Sequence, residues 1–213
     1  MWKAALFDLD GVVFDTEPQY TVFWGSECRR YHPEQPGLER RIKGQTLPQI
    51  LDGSLGISEQ EQRALVGRLD AFESQMTYDY VKDFEKFIHA LRAMNIMTAV
   101  VTSSNLAKMN SVYRKRPEFQ SYFDAILTSE DFAESKPSPD CYLRAAERFN
   151  AKPSECVVFE DSFNGLKAGR AAEMFVVGLA TTNTAEQIAP YADMVVSDFS
   201  DVNLQCKMFN SEQ

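Results

Sequence analysis

Six short apolar runs constrain what this chain can fold into more than any other feature of it. They are Ala4–Phe7, Met97–Val101, Ala125–Leu127, residues 156–159, Phe175–Leu179 and Met194–Val196, and each is nearly continuous rather than alternating. A strand reads that way when both of its faces are buried, as in a parallel sheet covered by helices. Stretches of helical spacing lie between the runs. Phe84, Phe87, Ile88 and Leu91 mark one face of a helix over Phe84–Ala93. Ser138-Pro139-Asp140 reads as a helix start, with Ser138 as N-cap and Pro139 at the first helical position. Residues 165–172, rich in Ala and Gly, follow a strand directly. This alternation predicts an α/β chain with a parallel sheet and helices on both of its faces.

One stretch breaks the alternation. Residues 16–79 show no strand pattern; apolar residues at 20–24 and 47–51 are followed by a Glu- and Gln-rich segment over 58–68. The stretch reads as a helical insertion after the first strand. The tail beyond Leu204 reads as frayed. A length of 213 residues suits one large domain carrying such an insertion.

Composition removes several function classes. The formal net charge is -9, which argues against a nucleic-acid or anionic-membrane surface. No apolar stretch approaches a membrane span, and the N-terminal apolar run is too short for a signal peptide and is broken by acids. The four cysteines, Cys28, Cys141, Cys156 and Cys206, form no Cys-x-x-C, so zinc spacing is missing. A cytoplasmic chain with reduced thiols is the expectation.

The chemistry gathers where the runs end. The first closes in Phe7-Asp8-Leu9-Asp10-Gly11, and positions i and i+2 of a strand face the same side, so Asp8 and Asp10 are expected to point together. Two like charges so placed call for a cation or a proton. In open parallel sheets the ligand site lies beyond the carboxyl ends of the strands. A second pair, Glu160 and Asp161, ends the run at 156–159. Either pair alone reads equally well as acids that open turns. If their strands are neighbours, the two pairs together form an oxygen-rich site suited to Mg²⁺ and a phosphate.

Two further strand ends fit a phosphate. Thr102-Ser103-Ser104-Asn105 offers a hydroxyl and turn amides, although Ser and Thr also cap helices. Lys136, in Ser135-Lys136-Pro137-Ser138-Pro139-Asp140, is either a solvated surface group or a cation aimed inward at phosphate charge. Other nucleophile systems fit poorly. The two histidines, His32 and His89, lie at no strand end, and there is no Gly-x-Ser-x-Gly, Walker A loop or Gly-x-Gly-x-x-Gly. The residues six beyond the cysteines are Glu34, Glu147, Ser162 and Glu212, which rules out a Cys-x₅-Arg phosphatase loop.

Asp8-Leu9-Asp10-Gly11, Thr102-Ser103-Ser104, Ser135-Lys136-Pro137 and Glu160-Asp161-Ser162, in that order, resemble the haloacid dehalogenase superfamily, in its beta-phosphoglucomutase and sugar-phosphatase branch. The resemblance covers nearly the whole chain. It implies a Rossmann-like core over 1–15 and 80–213 with a small all-helical cap over 16–79. It implies Asp8 as nucleophile and metal ligand, and Asp10 as general acid/base with its backbone carbonyl on Mg²⁺. Thr102 and the Ser103 amide, with Ser104 and Asn105 beside them, are implied to bind the phosphoryl group. Lys136 is implied to neutralise charge, and Glu160 and Asp161 to hold the metal. In the cap, the resemblance implies Asp15-Thr16 as the first hinge, Trp24 as an aromatic near substrate and Lys43-Gly44 as the loop over the phosphate site, with Thr16, Trp24 and Gly44 facing substrate. A monomer acting on a small phosphorylated metabolite is the implied form.

The cap separates two activities. Beta-phosphoglucomutases carry histidine where this chain has Tyr20, and arginine where it has Leu47. An apolar Leu47 cannot grip a second phosphate, which favours a phosphatase over a mutase. The Pro-Gly common at the second hinge is also missing from Tyr80-Val81-Lys82-Asp83. Trp24, with Tyr20 and Phe23, serves equally well as packing. A phospho-acceptor signalling domain arranges similar groups, but it has no use for a sixty-residue cap that shields a reacting phosphate from water.

Overall fold

The computed structural model describes residues 2–42, 45 and 47–209. Six strands, β1 (Ala4–Phe7), β2 (Met97–Val101), β3 (Ala125–Leu127), β4 (Cys156–Glu160), β5 (Phe175–Leu179) and β6 (Met194–Val196), form one sheet in the order β3-β2-β1-β4-β5-β6. All pairings are parallel. Five strands have the bounds that hydrophobicity marks out, and β4 runs one residue further, through Glu160.

Both faces of the sheet are buried, so successive side chains go to two different cores. Ala5, Phe7, Val100, Val157, Phe159, Val177 and Leu179 pack into one. Ala4, Leu6, Ala99, Val101, Cys156, Val158 and Val176 pack into the other. The first core is closed by α4 (Phe84–Ala93), α5 (Leu106–Lys115) and α9 (Val202–Phe209). The second is closed by α6 (Asp140–Arg148), α7 (Phe163–Ala171) and α8 (Ala185–Ile188). Phe7 and Phe159 are register partners on β1 and β4, and their rings stack at 4.5 Å and 6°. Truncating either to Ala removes that contact and opens a cavity, at a cost of about 3–5 kcal/mol.

Between β1 and β2 the chain is helical up to α4. It forms α1 (Glu17–Tyr31), the short α2 (Leu38–Arg41), a π-helical turn at Gln49–Ser54 and α3 (Glu59–Gln75), with no strand among the described residues. Ser58 and Glu61 close a capping box at the start of α3, satisfying two otherwise free amides. This segment has its own apolar cluster, made by Cys28, Leu38, Ile42, Ile50, Leu51, Leu55 and Leu65. Arg68 of α3 grips Glu27 of α1 through two hydrogen bonds, of 2.9 and 2.6 Å.

Three local readings need correction. The helix expected at Ser138-Pro139 opens at Asp140 with Pro139 as its N-cap, while Ser138 Oγ accepts from the Asp140 amide at 3.4 Å. α7 begins at Phe163, earlier than the Ala/Gly pattern implies, because Ser162 caps it by accepting from the Gly165 amide. The tail is not frayed through residue 209. It forms α9, which buries Leu204 and Met208 against the first core. No helix among the described residues is long and apolar enough to cross a membrane.

Candidate active site

Because β1 lies between β2 and β4, the chain segments leaving these strands emerge side by side. The Asp8 amide continues the ladder by donating to the Phe159 carbonyl at 3.0 Å, which places Asp8 next to Glu160. Lys136 arrives from the loop after β3 and is 4 % exposed. Its Nζ donates to Asp8 Oδ1 at 2.6 Å, Glu160 Oε1 at 2.7 Å and the Val101 carbonyl at 2.9 Å. An ammonium has three donors, and all three are used. Burial opposes its charge, but Asp8 and Glu160 beside it outweigh burial and hold the Lys136 pKa well above the ordinary lysine value.

Glu160 is fully buried. Its Oε1 also accepts from Tyr142 Oη at 2.9 Å, and its Oε2 from the Asp161 and Ser162 amides and Ser162 Oγ at 3.1–3.2 Å. Asp161 accepts from Thr182 Oγ1. One carboxylate oxygen from each of Asp8, Glu160 and Asp161 falls within 4.8 Å of the others. Burial pushes the Asp8 carboxyl up to about 7, with Lys136 pulling it down and Glu160 and Asp10 pushing it up. Burial, then Glu160 and Asp8, hold Asp161 well above the usual carboxylate range.

Two buried acids, Glu160 and Asp161, and the partly buried Asp8 gather beside one ammonium, an excess of negative charge that a second cation would relieve. Hard oxygen donors of this kind fit Mg²⁺. Two glycines make the room. At Gly11 (φ +75°) a Cβ would lie 2.1 Å from Asp161 Oδ2, and at Gly165 it would lie 1.7 Å from Glu160 Oε1. The carboxylates occupy the space that any side chain there would fill.

Asp10 lies beyond β1, which ends at Phe7; it forms an isolated bridge with Phe14, and the Val13 and Phe14 amides donate to the Leu9 carbonyl. Asp8 and Asp10 line one cavity together, as their i, i+2 spacing predicts. Asp10 Oδ1 accepts from Thr16 Oγ1 at 2.8 Å, and its Oδ2 from Ser104 Oγ at 3.4 Å and from Lys108 Nζ. Thr16 is fully buried, and its hydroxyl is spent on Asp10, so it serves the site through Asp10 and does not face a substrate. Thr102 is 2 % exposed, and its Oγ1 accepts from the Ser104 amide at 3.0 Å. Asn105 caps α5 by accepting from the Lys108 amide at 2.9 Å. Gly44 lies outside the described residues.

These groups open into a cavity of about 490 Å³. Asp8, Asp10, Thr102, Ser103, Ser104, Asn105, Lys136 and Asp161 line it, together with Tyr20, Trp24, Leu47 and Glu73 from the helical insertion. Trp24 lines this space and packs edge-on against Phe23 at 5.2 Å. Sequence reasoning missed Lys108, Tyr142 and Thr182. The available signal for Lys108 was a lysine placed with Met109 and Val112 on the buried side of α5.

A chain with this sheet order and this gathering of acids at the strand ends belongs to the haloacid dehalogenase-like hydrolases, whose family model matches residues 2–173. Among similar proteins is validoxylamine A 7'-phosphate phosphatase of Streptomyces hygroscopicus subsp. limoneus, 30% identical over 207 residues, with 95% of this chain and 96% of that protein covered. Beta-phosphoglucomutase of Bacillus subtilis is 28% identical, with 95% and 92% covered. The fold matches the crystal structure of a haloacid dehalogenase hydrolase of family IA, variant 3, from Entamoeba histolytica, with a TM-score of 0.82, 21% identity, and 97% and 98% of the two chains covered.

Proposed function

We propose that this chain is a Mg²⁺-dependent phosphatase of a small phosphate ester, a sugar phosphate, working through an aspartyl phosphate at Asp8. Residues 1–15 and 80–213 form the catalytic core and residues 16–79 the cap. The observation that carries this reading is Asp8 itself. It directly follows β1, is gripped at Oδ1 by a buried Lys136, and opens with Asp161 into a cavity also lined by residues of the helical insertion.

In this reading Asp8 attacks phosphorus and the ester P–O bond breaks, while Asp10 gives a proton to the departing sugar oxygen. Water then attacks the aspartyl phosphate, Asp10 takes its proton, and inorganic phosphate leaves with Asp8 restored. Lys136, Thr102 and the Ser103 amide balance charge on the phosphoryl oxygens. Asp8, Asp161 and the Asp10 carbonyl would hold the Mg²⁺, with Glu160 completing the negative charge around it. The ion, when bound, supplies positive charge to the transferring phosphoryl group.

Among the described residues lining the cavity the cations are Lys108 and Lys136, and each is paired with a site carboxylate. Leu47 is part of the cap wall. This supports hydrolysis over a mutase reaction, which must hold a second phosphate. The test is phosphate release from a panel of sugar phosphates with Mg²⁺ or EDTA, for wild type and Asp8→Asn, with β-glucose 1-phosphate and trace glucose 1,6-bisphosphate included. Metal-dependent phosphate release lost in Asp8→Asn supports the reading. Glucose 6-phosphate formed without net phosphate release would replace it with the mutase.

A further inference from the structure

Lys108 stands apart from the groups used so far. It is a lysine only 4 % exposed, in the first turn of α5, and its Nζ contacts Asp10 Oδ2 and lies 2.6 Å from Tyr20 Oη. The same ammonium lies 4.9 Å from the centre of the Tyr20 ring, within reach of a cation–π contact. Tyr20 Oη in turn donates to Glu73 Oε1 at 2.8 Å. Burial, then Asp10 and Glu73, keep the Tyr20 hydroxyl protonated far above the ordinary tyrosine range, so it remains a donor toward Glu73.

The chain of contacts therefore runs from Asp10 in the core, through Lys108 on α5, to Tyr20 on α1 and Glu73 on α3. Lys136 holds the nucleophile and reaches no cap residue among its bonds. Lys108 holds the other essential acid and does reach the cap. Thr16 grips one oxygen of Asp10 and Lys108 the other, so removing Lys108 leaves the carboxylate pinned from one side, with only the long 3.4 Å contact to Ser104 on the other. A carboxylate free to turn about χ2 spends less time aimed at the reacting oxygen, and loss of orientation is costly in proton transfer.

We infer that Lys108 is a positioning residue for Asp10, and that Tyr20 and Glu73 tie this positioning to the cap. The inference rests on the phosphatase reading, because it assigns Asp10 both proton transfers. In the first, Asp10 gives its proton to the leaving oxygen as the ester bond breaks. In the second it takes a proton from the water that attacks the aspartyl phosphate. A p-nitrophenolate leaving group needs no proton, so with p-nitrophenyl phosphate only the second transfer depends on Asp10.

Rapid-mixing kinetics with p-nitrophenyl phosphate and Mg²⁺ test this. Lys108→Met is expected to give a burst of about one equivalent of nitrophenolate followed by a steady state slowed at least tenfold, the signature also expected of Asp10→Asn. The Asp10→Asn/Lys108→Met double variant should be no slower than Asp10→Asn alone, as for two groups acting as one unit. Tyr20→Phe, which removes one hydroxyl and keeps the ring, should show the same burst with a smaller loss, and it carries the test if Lys108→Met fails to fold. An active wild type with no burst in either variant, or losses that multiply in the double variant, would overturn the role of Lys108 alone. A wild type that turns over neither this ester nor any sugar phosphate would overturn the phosphatase reading and this inference with it.

Discussion

Lys136 Nζ lies 2.6 Å from Asp8 Oδ1, and this pair is the point from which both the chemistry and the electrostatics of the site follow. The lysine ion-pairs with the partly buried Asp8 and the fully buried Glu160 and lets the two acids sit side by side.

Lys136→Met should therefore reduce both activity and stability. The phosphoryl oxygens lose their fixed cation, and kcat/KM is expected to fall by about 10³ or more, equivalent to about 4 kcal/mol of transition-state stabilisation. Steady-state kinetics beside a thermal melt check this. A variant with near-normal kcat/KM would remove Lys136 from the reaction.

Metal and pH should act on stability together. The Asp8 carboxyl stands near 7 in the folded chain against an ordinary 3.8. Between these values the folded state binds the extra proton, so stability without metal falls as pH rises through about 4 to 7. Mg²⁺ binds the deprotonated acids and reverses the loss. Melting temperatures in EDTA and in Mg²⁺ should diverge from pH 5 to pH 8, and a constant gap would contradict the assignment.

Gly11→Ala should weaken metal binding more than folding. The new Cβ falls on Asp161 Oδ2, at a backbone φ of +75° that itself costs an L-residue about 1–2 kcal/mol. The expected result is at least tenfold weaker Mg²⁺ dependence of activity, with a melting temperature lower by only several degrees. Unchanged Mg²⁺ dependence would place the ion elsewhere.

In the helical insertion, Arg68→Ala removes both close hydrogen bonds of Glu27, a carboxylate only 3 % exposed, and leaves it Arg30 at 3.8 Å as its cation. Taking the close partner from a buried acid costs about 3 kcal/mol, which for a chain of this size lowers the melting temperature by about 6–12 °C. Replacing both residues by Met should recover most of that loss, because no charge is then left buried. Calorimetry of the two variants settles it.

The core was legible because its pattern is local. A strand buried on both faces is apolar at nearly every position, and Ala4–Phe7 and Phe175–Leu179 read that way from end to end. Asp8, Lys136, Glu160 and Asp161 stood out as polar residues directly after such runs, or beside Pro. Lys108 did not, because its meaning comes from Asp10, 98 residues away in sequence. The bridge between Asp10 and Phe14 depends on the chain folding back at the Leu9 carbonyl, which accepts two amides, and strand periodicity does not reveal it. α9 was missed because eight residues give too few turns to separate an amphipathic helix from a frayed end. The hydroxyl of Thr16 was read as facing substrate, since sequence does not tell a buried threonine from an exposed one.

The most direct measurement is chemical trapping of the intermediate. Enzyme turning over a sugar phosphate in Mg²⁺ is quenched, reduced with borohydride and mapped by peptide mass spectrometry. Conversion of Asp8 to homoserine, absent in EDTA and in Asp8→Asn, is the result expected of an aspartyl phosphate at the end of β1. Active enzyme with Asp8 unmodified and label at another residue would contradict the account.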